Sequence, residues 1–188
     1  MTRRGAVEPI PRREAPARLP LLTRDEAPLA AKRWFGPSGS ASPLTRSLAT
    51  APDVLATMMP FLGQIMGAGS VDLATKELVI LRVSALNGCR YCVAAHRVIA
   101  AEAGVTAEQI EAVCDVGGGT LAARDDDVLA WIDSVVLDAA AIDEHLLERV
   151  SRTWRDDQLV ELTLLAGATT MLNQYCTAFA IPPPGVDA

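Results

Sequence analysis

The sequence predicts an all-α protein with a single helical domain, and three observations support this. Of its 188 residues 50% are hydrophobic but only 4% are aromatic, a composition that favours helices packed through small side chains over a sheet. Apolar residues recur at helical spacing, whereas no stretch alternates apolar and polar residues as a half-buried strand does. A chain of this length can bury one sizeable core. We therefore expect one helical bundle.

Composition divides the chain into three parts. Residues 1–22 are rich in arginine and proline and lack a sustained period, so we expect a flexible arm. The helical domain should span 23–181, and residues 182–188, which begin with three prolines, should form a tail. The arm is basic, and it could touch an acidic surface or a membrane, although a solvated terminus is the simpler interpretation. The net charge of −6 argues against a general nucleic-acid binder.

The sequence also predicts a cytoplasmic protein. No apolar segment follows the first arginines as it would in a secretory signal, and no run of about eighteen apolar residues predicts a membrane helix. The chain has four cysteines, too few for a disulfide scaffold. In a reducing compartment, a close pair of cysteines is more typical of catalysis or metal binding.

Start and stop signals place the expected helices. In the first half they are Thr23 to Gly36, one or two turns at Leu44 to Ala49, a helix from Pro52 that Pro60 should kink or split, and a helix from Leu73 to Leu86. This last helix is apolar around most of its circumference and should be central. Asn87-Gly88 should break it, and the next helix should run from Cys89 to Ala103 before Gly104.

The second half adds four helices. A capping box at Thr106 to Gln109 opens the first of them. The link at residues 117–119 is three glycines. After it come a helix with an acidic first turn at residues 125–127, a helix from about Asp143 to Arg152, and a long helix from about Asp156 to Phe179.

The segment from Glu77 to His96 carries the candidate chemistry. It places two cysteines, one of the two histidines and an acid within twenty positions. On one helix at about 100° per residue, Cys89, Cys92 and His96 share a face. Cys89 would lie in the first turn, where free N–H groups and the dipole favour a thiolate. His96 lies four residues from Cys92 and can exchange its proton. Helix position favours Cys89 as the attacking thiol, and proximity to His96 favours Cys92.

Glu77 lies on the preceding helix, on a stripe of apolar residues. In one interpretation it is partly buried and needs a partner. In the other it is an exposed acid at a helix start beside Lys76. Periodicity alone does not choose between them.

The spacing of these residues resembles that of a known family. Glu77, eleven residues, Cys89-Arg-Tyr-Cys92, three residues and His96 is similar to the signature of the alkylhydroperoxidase D family within the carboxymuconolactone decarboxylase superfamily. The resemblance extends more loosely from about Thr45 through the last helix. Tyr91 stands where the best-known peroxidase members carry a second histidine.

This resemblance implies a fold and an activity. The family is all-α, is often trimeric or otherwise oligomeric, and uses no bound cofactor. Its redox members reduce hydroperoxides or pass electrons to a partner protein through the cysteine pair, and an external dithiol donor regenerates them. Cys89 and Cys92 would be the redox pair, and Glu77 and His96 a proton relay. The decarboxylase branch lacks the paired cysteines, so decarboxylation is not expected.

Two other interpretations remain. Cys89, Cys92 and His96 could bind a metal with a distant ligand such as Cys114, although three ligands along one helix cannot readily surround an ion. The chain could also be a non-catalytic helical oligomer that retains only the motif.

The last helix repeats part of the central pattern. Glu161-Leu162 matches Glu77-Leu78 and Tyr175-Cys176 matches Tyr91-Cys92 at identical offsets, which is consistent with an internal duplication. Asn173 and Ala180 stand at the positions of Cys89 and His96, so the second copy would lack the chemistry. Cys176, like Cys114, is therefore expected to be a buried structural residue.

Overall fold

The protein is a bundle of helices throughout the part of the chain that its computed structural model describes, residues 16–116 and 123–185. Every regular element in these ranges is a helix, which confirms the predicted all-α class. The α-helices are α1 Pro43–Leu48, α2 Pro52–Met66, α3 Leu73–Leu86, α4 Arg90–Glu102, α5 Ala107–Cys114, α6 Ala123–Asp138, α7 Glu144–Thr153 and α8 Asp156–Ala178, with 3₁₀ turns at Lys32–Trp34 and Ala139–Ala141. Within these ranges, none of the helices has the length and apolar character needed to cross a membrane.

Helix α3 forms the centre of the bundle. Its apolar side chains point in every direction, and Val79, Ile80, Leu81 and Val83 are fully buried. It packs against α4, α5, α6 and α8. Because neighbours surround it, even the charged residues at its start are buried, and each of them needs a polar partner.

Lys76 supplies one of the buried polar anchors of α3. Its side chain is 0% exposed, and Nζ donates to two carbonyl oxygens at the end of α2 and pairs with Glu161 of α8. Glu161 also accepts a hydrogen bond from the backbone N–H of Ser70 at 2.9 Å. A Cβ on Gly69 would collide with the Glu161 carboxylate and force it to shift away from these partners. This network fixes α8 against the start of α3.

Arg82 anchors the other half of α3. Its Nε donates to Asp133 Oδ1 at 2.7 Å and its Nη2 to Oδ2 at 2.5 Å, so the pair with α6 is bidentate. Nη1 donates to the carbonyl oxygens of Val113 and Asp115 at 3.4 and 3.2 Å. Such fork-like pairing fixes direction as well as distance, and it holds α5 and α6 on one side of α3.

Two helix predictions differ from the structure. Residues 23–36 form turns and one 3₁₀ turn, because Pro28 lacks the N–H that a helix starting at Thr23 would need and its ring clashes with the preceding turn. Conversely, α2 continues through Pro60. Pro60 lies on an exposed face, where water can solvate the carbonyl oxygen that loses its helical partner.

Part of the expected N-terminal arm is described, and it contacts the bundle. Arg18 donates from its backbone N–H to the carbonyl of Phe179 and from Nη1 to that of Ala178, both at 2.9 Å. Leu22 donates to the carbonyl of Arg46 at 3.3 Å, and Arg46 Nε donates to the carbonyl of Leu22 at 3.1 Å. Residues 18–22 thus lie along the end of α8 and α1. Residues 1–15 of the arm, residues 117–122 with the whole glycine link, and residues 186–188 lie outside the described residues.

Candidate active site

The break between α3 and α4 sets the position of Cys89. Gly88 has φ 63°, in the left-handed region that favours glycine. Cys89 follows with extended backbone, φ −84° and ψ 97°, as the N-cap residue of α4, and its N–H donates to the carbonyl of Ser84 at 2.9 Å. Cys89 therefore precedes the first turn instead of lying within it, and Cys92 lies in that first turn.

Three cysteines meet at this helix start. The Sγ atoms of Cys89, Cys92 and Cys176 all lie within 4.8 Å of one another. Each residue is at most 4% exposed, and all three are free thiols. We call this group the sulfur cluster.

The position of Cys176 corrects the sequence-based expectation. It is buried, as expected, but it is not an isolated structural cysteine, because α8 brings it against the pair on α4. The repeat that matched Cys176 with Cys92 contained the only signal of this. The two segments do not share their local structure: α8 is continuous where α3 and α4 are separated, since Met171 and Leu172 occupy the positions of Asn87 and Gly88.

The sulfur cluster also changes the set of residues that could bind a metal ion. Among the described residues, it is the one group of three cysteine, histidine or acidic side chains close enough to share an ion. It includes neither His96 nor Cys114, which were the expected additional ligands. Three sulfurs would suit a thiophilic metal such as zinc or copper(I).

Asn173 of α8 holds the break between α3 and α4. It is 1% exposed, its Nδ2 donates to Ser84 Oγ at 3.1 Å, and its Oδ1 accepts from Asn87 Nδ2 at 3.0 Å. Since Ser84 also accepts the Cys89 N–H, these hydrogen bonds join the cysteine-bearing end of α8 to the start of α4.

The three thiols differ in acidity. The pKa of Cys89 is lowered to about 2, because hydrogen bonds from Cys176 and from Cys92 stabilise its thiolate and outweigh burial. For Cys92, the contact with Cys176 lowers the pKa, but the contact with Cys89 and burial outweigh it and raise the pKa to about 12. Contacts with Cys89 and Cys92 raise the pKa of Cys176, and burial adds to this. Of the three, Cys89 is therefore the most acidic thiol.

Glu77 of α3 and His96 of α4 form a pair with little exposure to solvent, and His96 lies one helical turn after Cys92. The distance from His96 Nδ1 to Glu77 Oε2 is 2.7 Å, and the side chains are 16% and 6% exposed. Of the two interpretations of Glu77, the structure has the buried one. A carboxylate can only accept, so Nδ1 carries the proton of this hydrogen bond and Nε2 is left to exchange one.

Cys89 lies at the wall of a cavity. This space of about 470 Å³ is bordered by Cys89, Ala85, Gly88, Val93, Ala94 and Arg97, among others. Cys92 and Cys176 do not line it. Of the three residues of the sulfur cluster, Cys89 is therefore the one that a small molecule in this cavity could contact.

Cys114 and Tyr91 lie near this site in different surroundings. Cys114 lines the same cavity, and burial raises its pKa, although Arg97 opposes this. Tyr91, at the position of the expected second histidine, is buried among apolar residues beside the cluster. Burial raises the pKa of Tyr91, and a hydrogen bond with Ser42 opposes the shift. Neither residue belongs to the sulfur cluster.

Residues 52–134 match the model of the carboxymuconolactone decarboxylase family. This segment of the chain is similar to members of that family. It contains Glu77, Cys89, Cys92 and His96, and the sequence resemblance to the alkylhydroperoxidase D group is confirmed. Cys176 lies outside the matched segment.

Curated relatives match this chain over part of its length. Alkyl hydroperoxide reductase AhpD of Mycobacteroides abscessus is 46% identical over 46 residues, 24% of this chain and 26% of that protein. AhpD of Gluconacetobacter diazotrophicus is 36% identical over 81 residues, 43% of this chain and 40% of that protein. The matches thus span less than half the length of these curated relatives.

A solved structure shows the same fold over a longer range. It is an alkylhydroperoxidase AhpD core, described as an uncharacterized peroxidase-related protein, from Ralstonia eutropha JMP134. It superposes with a TM-score of 0.81 over 90% of this chain and 93% of that chain, at 17% identity. At this identity, the likeness supports the fold and not the activity.

Proposed function

We propose that this protein is a thiol peroxidase that reduces organic hydroperoxides through Cys89 and Cys92. The observation that carries the proposal is that the acidic thiol of the sulfur cluster, Cys89, also borders the cavity. The names of the curated relatives support the same reaction class. A partner-protein disulfide is the alternative substrate for the same pair of thiols.

In the first step, the Cys89 thiolate attacks the distal oxygen of the hydroperoxide. The S–O bond forms as the O–O bond breaks, and the leaving alkoxide takes a proton to become an alcohol. Cys89 becomes a sulfenic acid. The apolar walls of the cavity suit an organic group.

In the second step, Cys92 resolves the sulfenic acid. The Cys92 sulfur attacks Cys89, a disulfide forms, and hydroxide leaves and is protonated to water. Because the pKa of Cys92 is raised, this thiol needs a base to lose its proton. His96 lies one helical turn from Cys92, and its hydrogen bond with Glu77 orients the ring for this transfer.

The complete reaction consumes two thiols and one hydroperoxide, and gives one disulfide, one alcohol and one water. An external dithiol donor then reduces the disulfide. We expect the active form to be a homo-oligomer, as in other members of this group, with no bound cofactor.

Metal binding by the sulfur cluster is the second candidate, and the three close sulfurs are the observation that favours it. It predicts that the purified protein contains about one equivalent of metal and that the metal protects the thiols. Peroxidase chemistry predicts thiols that react in the presence of a chelator.

A stoichiometric titration tests the proposal. Wild-type protein is first treated with a chelator to remove metal and then with one equivalent of cumene hydroperoxide. The remaining free thiols and the cumyl alcohol formed are measured. The proposal predicts that two thiols are lost for each alcohol formed, that Cys89→Ser forms no alcohol, and that Cys114→Ser, the matched control, behaves as wild type. Unchanged thiols with unreacted hydroperoxide would overturn it.

A further inference from the structure

The two-cysteine reaction gives Cys176 no role, although its sulfur lies close to both reacting sulfurs. Its sulfur lies within 4.8 Å of both Cys89 and Cys92, and the residue is 2% exposed. A buried thiol cannot readily meet an external reagent, so its available partners are the other two sulfurs. It also approaches from a different helix, α8.

We propose that Cys176 is a third redox thiol. It displaces Cys89 from the first disulfide and forms a Cys92–Cys176 disulfide that joins α4 to α8, so that Cys89 is free again. This inference rests on the proposed function for its first disulfide, between Cys89 and Cys92. It assigns to the oxidised protein a resting disulfide different from the one formed first.

The exchange conserves electrons. The Cys176 sulfur attacks the Cys92 sulfur of the first disulfide, a Cys92–Cys176 bond forms, and the Cys89–Cys92 bond breaks with its electron pair on Cys89. Cys89 leaves as a thiolate, and the proton of Cys176 is released to solvent. Nothing is oxidised or reduced overall, so no further reagent is needed.

Geometry allows this exchange. The Sγ atoms of Cys92 and Cys176 lie within 4.8 Å of each other, so a small movement of the two side chains can bring them to bonding distance. Asn173, one turn before Cys176, is hydrogen-bonded to Ser84 and Asn87, so this part of α8 is already held at the break that carries Cys89.

The leaving group favours the same product. Of the three sulfurs, Cys89 is the one at the N-terminus of α4, where the free N–H groups, that of Cys92 among them, stabilise a thiolate and lower its pKa. A thiol of lower pKa leaves faster in exchange. The product returns a Cys89 thiolate to the cavity and keeps the disulfide in the interior.

Peptide mapping tests this inference, because trypsin separates all four cysteines. Cleavage after Arg82, Arg90 and Arg97 places Cys89 in peptide 83–90 and Cys92 in peptide 91–97, while Cys114 lies in peptide 98–124 and Cys176 in the peptide that starts at residue 156. The protein is oxidised with one equivalent of cumene hydroperoxide or, separately, of diamide. Remaining thiols are alkylated in acid, and linked peptides are identified by mass spectrometry.

The expected major product joins peptide 91–97 to the peptide that starts at residue 156, with Cys89 alkylated and the free Cys176 thiol lost. In Cys176→Ser the link should shift to Cys89–Cys92, and Cys114→Ser should match wild type. If the wild-type product had only Cys89 and Cys92 linked and Cys176 fully alkylated, the inference would be overturned. This result comes from wild-type protein, so it does not depend on whether a variant folds.

The two oxidants separate this inference from the peroxidase proposal. Diamide oxidises thiols directly, so a Cys92–Cys176 link formed with diamide but not with hydroperoxide would support the exchange and refute the peroxidase. Loss of two thiols to hydroperoxide with Cys176 still alkylated would support the peroxidase and refute the exchange.

Discussion

Replacing Glu77 by glutamine tests the proton relay. The substitution keeps the size and shape of the side chain but removes the charge that faces His96. We expect formation of the first disulfide to slow, because a neutral partner no longer stabilises the imidazolium that forms when His96 takes the proton of Cys92. The attack of Cys89 on hydroperoxide should change little.

The size of the effect follows from the buried pair. The Nδ1–Oε2 distance is 2.7 Å and the side chains of Glu77 and His96 are 6% and 16% exposed, so water screens this contact weakly. A hydrogen bond to a charged group contributes roughly 1.5–3 kcal/mol. At 1.36 kcal/mol for each factor of ten, the loss corresponds to a rate lower by about 10- to 150-fold.

The assay is a single-turnover time course. Cumene hydroperoxide is mixed with reduced protein, samples are quenched by alkylation at intervals, and disulfide and sulfenic acid are quantified separately. In Glu77→Gln the sulfenic acid should accumulate before the disulfide appears. Because the pair acts as a unit, adding Glu77→Gln to His96→Asn should slow the reaction less than about twofold further.

Glu161→Gln is the matched control, since Glu161 occupies the equivalent place in the repeat and pairs with Lys76. It should lower stability without changing the rate for folded protein, which circular dichroism verifies. A Glu77→Gln protein that is folded and within twofold of the wild-type rate would refute the relay.

Two further predictions concern acidity and packing. The pKa of Cys89 lies at about 2, whereas burial raises the pKa of Cys114. Iodoacetamide should therefore alkylate Cys89 at a nearly constant rate from about pH 5 to 8, while the rate at Cys114 rises about tenfold per pH unit. If peptide mass spectrometry gave the same pH profile for both cysteines, the assignment of Cys89 as the acidic thiol would be contradicted. Gly69→Ala should lower the free energy of unfolding by about 1–3 kcal/mol, because its Cβ would collide with Glu161. Gly63→Ala, in α2 with open space around it, should raise it by up to about 1 kcal/mol; equal urea midpoints for the two variants would contradict this interpretation.

Local signals predicted the helices where packing agreed with them. Asp72 accepts the N–H of Thr75 at 2.9 Å, Thr106 and Gln109 form the expected capping box, and Asp143 caps α7. At residues 23–36 the capping signal at Thr23 was real but local, and the chain forms turns instead of a helix. A cap stabilises one turn, and it cannot compensate for a proline in the next.

The candidate site was only partly predictable from the sequence. Glu77 and His96 meet because they lie on consecutive helices with a short break, which the sequence shows. The helical projection that grouped Cys89 with Cys92 assumed that Cys89 is helical, whereas its extended backbone precedes the helix. Cys176 lies 84 residues beyond Cys92, and helical periodicity describes one helix at a time. Its approach depends on how α8 packs against α4, which spacing along the chain does not encode.

The proposed peroxidase reaction depends most directly on which sulfur attacks the hydroperoxide. In the Cys92→Ser, Cys176→Ser double variant, no resolving thiol remains beside Cys89, so its sulfenic acid should persist long enough for dimedone to trap it. We predict one dimedone adduct per molecule, on tryptic peptide 83–90, after one equivalent of cumene hydroperoxide. A folded double variant that leaves the hydroperoxide intact, or that carries the adduct on the Cys114 peptide 98–124, would contradict the central claim.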